Sequence, residues 1–304
     1  MRFTNSRLHD RAKWFALMCV LFCAGLLLTN CRANPNASAA PSAARETAIE
    51  NKGSDTMVNL ALAWAEEYMK QNPDVRLSVT GGGSGTGIAA MINGTVDIAN
   101  ASREMKPEEL DAAKKNGHDP KEFVVARDAI AVVVHPSNPV TGLTMQQLSD
   151  IYTGKITNWR ELGGEDRPIV LLSRESNSGT YVYFLENVIR GGDSKSKLLF
   201  SPETLLMPSS EGISTEIRQN PNAIGYDGLG YVTPDQKMIG VARKNGDEFV
   251  LPSVASVNAG TYPISRPLYM YTSGEPTGEV KAYMDWILGK GQAMIPQLGF
   301  VPLK

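Results

Sequence analysis

Three times along this chain a β-branched run gives way to glycine and small hydroxyl residues, and a helical repeat follows. The three stretches are Gly53-Ser54-Asp55-Thr56, Gly81-Gly82-Gly83-Ser84-Gly85-Thr86-Gly87 and Arg174-Glu175-Ser176-Asn177-Ser178-Gly179-Thr180. A fourth, Ala101-Ser102-Arg103, follows another strand-like run. The segments between them keep the same rhythm. Met57, Leu60, Ala61, Trp64, Ala65 and Tyr68 recur at the spacing of one helix face, and Val75, Leu77 and Val79 alternate as in a strand. Phe123–Val134 is almost wholly apolar or β-branched, which predicts a strand buried on both faces. Further strands are predicted near Ile169–Leu172, Ile224–Tyr226, Ile239–Ala242 and Leu268–Tyr271. Helices are predicted from Pro107, from the Thr144/Gln147 capping box, over Gly179–Arg190 and over Val280–Leu288. This alternation predicts an α/β fold with mainly parallel strand pairing.

The junctions share one chemistry. The first N–H groups of a helix have no partner within it and sit at the positive end of its dipole, so an anion placed there meets ready donors. Glycine permits close backbone approach, and Ser and Thr hydroxyls add donors that rotate to suit. Arg103 and Arg174 can add forked, charge-assisted hydrogen bonds. A single such junction reads as ordinary helix capping. Three of them, with two arginines beside them, point to an oxyanion site at the carboxyl ends of the strands.

Other anion motifs do not fit. No Lys follows the glycine run, so it is not a nucleotide P-loop, and it lacks the last glycine of a dinucleotide fingerprint. Ser84 is not in a nucleophile elbow, because Thr86 holds the place of the second glycine. His118 and His135 have no partner at metal-ligand spacing. No metal or cofactor is therefore expected. A formal net charge of −2 offers no basic excess for nucleic acid.

The first 30 residues differ from the rest. Arg2, Arg7, Arg11 and Lys13 precede an apolar run from Trp14 to Leu28, which is shorter than the roughly 20 residues that span a bilayer. This pattern predicts a signal peptide over residues 1–30. Cys31 follows in Leu28-Thr29-Asn30-Cys31, which resembles a lipoprotein processing site and makes Cys31 a lipid-attachment residue; Ala37-Ser38-Ala39 offers an ordinary cleavage site instead. Residues 31–47 are rich in Ala, Pro, Asn and Ser and read as a flexible tether. Residues 1–30 hold four basic side chains and one acidic one, so their removal takes the formal charge to about −5. An anion would then be held by local geometry and not by overall charge.

Taken in order, the motifs resemble the substrate-binding protein of the bacterial phosphate ABC transporter, the PstS family. The resemblance runs over about residues 48–304 and includes the first three junctions and Ala101-Ser102-Arg103. It also includes Leu143-Thr144, Gly154-Lys155-Ile156-Thr157-Asn158-Trp159 and Ala223-Ile224-Gly225-Tyr226. It implies a two-lobed, type II periplasmic-binding-protein fold, each lobe a mainly parallel sheet flanked by helices, with ligand in the interlobe cleft. Lobe I is expected to combine 48–127 with 229–304, and lobe II to span 128–228. Carried over by motif, phosphate contacts fall on Ser54, Thr56, Ser84, Ser102, Arg103, Arg174, Ser178, Gly179 and Thr180.

The chain also departs from the family's pattern. Some members have a carboxylate where this chain has Arg103, and many have one where it has Ser176. The group that meets the phosphate proton is thus missing from both places, and Asp55 is the nearest substitute. The resemblance implies an extracytoplasmic, monomeric binding protein without catalysis. It would take up inorganic phosphate and deliver it to a membrane permease. Sulfate, molybdate or tungstate is the alternative ligand class, and a secreted phosphatase the alternative activity.

Overall fold

The computed structural model describes Thr47–Leu303, so the predicted signal peptide, Cys31 and nearly all of the tether lie outside the described residues. Ten strands form one connected set: β1 (Thr47–Gly53), β2 (Val75–Thr80), β3 (Ile98–Ala101), β4 (Lys121–Val134), β5 (Gly142–Thr144), β6 (Val170–Arg174), β7 (Leu205–Met207), β8 (Ala223–Gly228), β9 (Lys237–Ala242) and β10 (Ser265–Thr272). The helices between them are α1 (Val58–Gln71), α2 (Ser84–Ile92), α3 (Pro107–Lys115), α4 (Met145–Tyr152), α5 (Gly179–Phe184), α6 (Ser210–Gln219), α7 (Val254–Asn258) and α8 (Gly278–Leu288).

The long strand β4 joins two halves. Its first part, Lys121–Ala129, pairs with β10, and its last five residues, Ile130–Val134, pair with β8. The pairs β1–β2, β1–β3, β5–β9, β6–β7 and β6–β8 are parallel. Every pairing that involves β4 or β10 is antiparallel. The lobes are thus parallel sheets spliced through two antiparallel strands.

Alternation along the strands gives each half two cores. In the first, Ile49, Ile98, Leu268 and Met270 face α1 and α8, while Ala99, Tyr269 and Tyr271 face α2 and α3. In the second, Val132, Val134, Ile224 and Tyr226 pack with Trp159 and Phe184, and Ala131, Val133 and Ala223 pack with Ile213 and Ile217 of α6. The apolar face read for α1 is buried as predicted, and the Trp64 indole donates to Gly291 O at 2.9 Å. The Thr144/Gln147 capping box is present at the start of α4. Trp159 is buried and donates to Asn222 O.

The expected return to lobe I after 228 needs correction. Strand β9 pairs with Val132–Val134 of β4 and with β5, so it belongs to the second sheet. Val257, Tyr262 and Ile264 lie in that half's core. The chain crosses back at Ile264/Ser265, where Ile130 N donates to Ile264 O at 2.8 Å. The other crossing is at Ala129/Ile130. An antiparallel return strand hid this, because its apolar run looks the same whichever sheet receives it.

Close backbone approach fixes where α2 begins. A Cβ on Gly87 would lie 2.5 Å from Lys52 O and 2.6 Å from Gly53 Cα. Gly87→Ala should therefore push α2 off β1 and cost about 1–3 kcal/mol, read as a lower midpoint in urea unfolding.

Candidate functional site

Four chain segments converge where the two halves meet. Strand β1 ends at Gly53 with φ 146°, and a Cβ there would lie 2.1 Å from Asn100 O, so only glycine fits. Ser54 N donates to that same Asn100 O at 2.8 Å, and a short turn then presents Thr56, which is buried. Gly82 and Gly83, both at positive φ, turn β2 into α2 and deliver Ser84. Ser102 follows β3, and its N–H donates to Ser84 Oγ at 3.0 Å. From the second half, Ser178 caps α5 by accepting from Thr180 N at 3.1 Å.

The hydroxyls meet there. Ser84 Oγ and Ser102 Oγ are 3.2 Å apart, and Thr56 Oγ1 and Thr180 Oγ1 are 2.9 Å apart across the two halves. A Cβ on Gly179 would lie 2.4 Å from Ser84 Oγ and 2.5 Å from Ser102 Oγ. Thr56, Ser84, Ser102, Ser178, Gly179 and Thr180 are all buried. The structure therefore brings these six of the sequence-predicted residues together. Ser54 is buried nearby, and its hydroxyl has no hydrogen-bond partner.

Neither predicted arginine touches a hydroxyl of this cluster; Arg266 does. Its Nη2 donates to Thr180 Oγ1 at 2.8 Å and to Thr56 Oγ1 at 3.4 Å, and its Nη1 donates to Ser102 O at 2.9 Å. Arg266 lies on β10 directly opposite Asp128 on β4, and the two form a buried pair at 3.0 Å. Burial pushes the Asp128 carboxyl up, and the Arg266 guanidinium opposes that shift. Because both threonine oxygens accept from Arg266 and share one hydrogen between them, one hydroxyl hydrogen remains for a ligand. A cation ringed by hydroxyls is suited to a small oxyanion.

Arg103 turns away and makes a bidentate pair with Glu109, both contacts at 2.7 Å. Burial works to raise the Glu109 carboxyl, but the Arg103 hydrogen bond and the Lys106 N–H leave it below its ordinary value. Arg174 and Asp55 engage each other. Arg174 Nη2 lies 3.2 Å from Asp55 Oδ2, the same oxygen accepts from Ser210 N at 2.8 Å, and Arg174 Nη1 donates to Ser210 Oγ at 2.9 Å. Asp55 comes from the first half; Arg174 and Ser210 come from the second. With Gly85 N to Asn177 O and Asn177 Nδ2 to Gly82 O, both 2.9 Å, these bonds lock the halves face to face.

Sequence reasoning missed Arg266, Asp128, Asn177, Ser210 and Asp227. A signal was available for the first two. A charge inside a largely apolar strand must find a partner, and Asp128, next to Arg127, and Arg266 are such charges. Asp227 is fully buried on β8 with one carboxylate oxygen unpartnered. Desolvation raises it to about 7, against the pull of Arg174, Ser210 and Gly228 N. An acid raised in the folded state keeps its proton while the unfolded chain loses one. Its contribution therefore falls as pH rises from about 4 to 7 and is flat above. In phosphate-free buffer, Asp227→Asn should be favoured increasingly over the parent in thermal melts taken from pH 5 to pH 8. An equal difference at both ends would contradict the raised acid.

Comparison with known proteins agrees with this arrangement. A family model described as a PBP superfamily domain matches residues 38–290. The phosphate-binding protein PstS of Pseudomonas aeruginosa is 36% identical over 273 residues, covering 84% of this chain and 83% of that protein. PstS of Bacillus subtilis is 34% identical over 256 residues, covering 83% and 79%. A crystal structure of a putative phosphate ABC transporter substrate-binding protein from Clostridium perfringens, with bound phosphate, superposes with a TM-score of 0.74. It is 35% identical and covers 85% of this chain and 100% of that one. With its α/β halves joined by two crossing strands and its buried hydroxyl cluster between them, this chain belongs to the PBP superfamily and, within it, to the family of PstS phosphate-binding proteins.

Proposed function

We propose that this protein binds inorganic phosphate outside the cytoplasmic membrane and delivers it to the permease of an ABC transporter. One observation carries the reading: hydroxyls from both halves converge within hydrogen-bond distance around the buried Arg266 guanidinium. Phosphate there would accept from the one hydroxyl hydrogen that the Thr56/Thr180 pair leaves free and from one of the Ser84/Ser102 pair, with Ser54 as a further donor and Arg266 as the charge partner. Ser178 shapes the turn, and Gly179 leaves room beside Ser84 and Ser102. Arg174 and Asp55 would hold the lobes together and not touch the anion. The names of the Pseudomonas and Bacillus relatives support phosphate as the ligand.

The lobes would comprise residues 48–129 with 265–303, and 130–264. The protein would act as a monomer and without catalysis; among the described residues no group of three or more His, Cys, Asp or Glu could hold a metal. No helix of the described residues is long and apolar enough to cross a membrane. Attachment would come from a lipid on Cys31, with residues 32–47 as the tether. Mass spectrometry of the native N-terminus should find acyl chains on Cys31; an unmodified terminus near Ala39 would rule the anchor out.

Calorimetry with phosphate and sulfate tests the site. Thr180→Val keeps the shape and removes one donor to a charged ligand, a loss of about 1.5–3 kcal/mol, so phosphate affinity should fall by about tenfold or more. Arg103→Gln should leave phosphate affinity within about threefold of the parent. The opposite ranking would return Arg103 to the site, and tighter binding of sulfate than of phosphate would overturn the ligand.

A further inference from the structure

Three Asn-Gly pairs occur in the chain: Asn93-Gly94, Asn116-Gly117 and Asn245-Gly246. Asparagine before glycine is open to attack by its own backbone, because glycine has no Cβ to shield its amide nitrogen. That nitrogen reacts with the carbonyl carbon of the asparagine side chain. A fold slows the attack wherever it holds either reacting group, since the hydrogen bonds that hold it must break first.

Two of the pairs are held. Asn93 ends α2; its N–H donates to Ala89 O at 3.1 Å, and Gly94 N donates to Met91 O at 3.0 Å. Asn116 ends α3 in the same manner. Gly117 N donates to Lys114 O at 3.0 Å, and Asn116 Nδ2 donates to Ile92 O at 2.9 Å. The third pair differs. Asn245 and Gly246 form the exposed tip of a turn closed by Asp247 N, which donates to Lys244 O at 3.2 Å. Among the described residues neither the Asn245 carboxamide nor Gly246 N has a hydrogen-bond partner. A Cβ on Gly246 would meet no atom within 4 Å, so the tip has room to rotate.

The surroundings favour the same reaction. Asn245 lies in the wall of a cavity of about 600 Å3 together with Arg190, Arg243 and Lys244, and no carboxylate lines it. These cations stabilise negative charge as it develops on the attacked carbonyl oxygen, and again on a carboxylate product. Asp247 follows Gly246 and opposes them, but it is outnumbered.

We propose that Asn245 is a site of spontaneous deamidation, selected by the fold over the other two pairs. Gly246 N bonds to Asn245 Cγ; its proton passes to the side-chain nitrogen, which leaves as ammonia. Water then opens the cyclic imide at either carbonyl. One opening gives aspartate, and the other gives isoaspartate, with the main chain rerouted through Cβ. Both products put a new carboxylate into the cationic wall.

The test is incubation of the full purified protein in neutral buffer, followed over time by peptide mapping with mass spectrometry. The peptide that holds Asn245 should gain the mass difference between an acid and an amide, and should split into aspartate and isoaspartate peaks. Its rate should exceed those of the Asn93 and Asn116 peptides by about tenfold or more, because their bonds must break before attack. In concentrated urea, where the fold is lost, the rates at all three pairs should converge to within about threefold. An unreacted Asn245 peptide overturns the proposal, and so does equal or faster reaction at Asn93 or Asn116 in the folded protein. A lead of Asn245 that persists unchanged in urea also overturns it, since local sequence and not the fold would then set the rate.

Discussion

The ion pair between Arg266 and Asp128 is the interaction on which the rest of the site depends. Both side chains are essentially inaccessible to water, and they sit opposite each other on the two strands that join the lobes, one residue from the crossing. Removing one partner of such a pair typically costs about 3–5 kcal/mol, because the other is left as an uncompensated buried charge. The pair is therefore locked into the fold. Its guanidinium nevertheless has donors left over, and these reach Thr56 from one lobe and Thr180 from the other. A positive charge is thus carried by the hinge strands themselves and not by a mobile loop, and the hydroxyls of both lobes are referenced to it.

Around that charge the design is one of small residues. Gly53, Gly87 and Gly179 each sit where a Cβ would come within 2.6 Å of neighbouring atoms. This permits three chain turns and two helix starts to crowd into one place, and hydroxyls can then reach each other. Larger side chains at these positions would hold the segments apart and replace short polar contacts with a gap that water could enter.

Much of this was legible along the chain. The α1 face, the capping box on α4 and the three glycine–hydroxyl junctions are local patterns, set by residues a few positions apart. Six of the predicted site residues came together because the junctions that carry them are local too. The arginines were not legible in the same way. Arg103 lies beside a cluster serine in sequence, but its guanidinium finds Glu109 six residues on. Arg266 belongs to no local motif, and its partner Asp128 is 138 residues away. Asp55 was expected to meet the ligand's proton, but Ser210 N, 155 residues later, donates to its carboxylate. The lobe boundary failed for the same reason, since strand composition does not say which sheet will accept β9.

The bonds between the lobes include several made only of protein groups, among them Asp55 to Arg174, Asp55 to Ser210 N, and Asn177 to Gly82 and Gly85. Shutting of the cleft therefore has its own equilibrium constant, fixed by the sequence before any cargo arrives. The observed dissociation constant is the constant for the shut cleft divided by the fraction of time the cleft is shut. Evolution can move the second without touching the first. A substitution at Asp55 or Asn177 retunes the concentration at which the protein loads, and the chemical identity of what it loads stays the same.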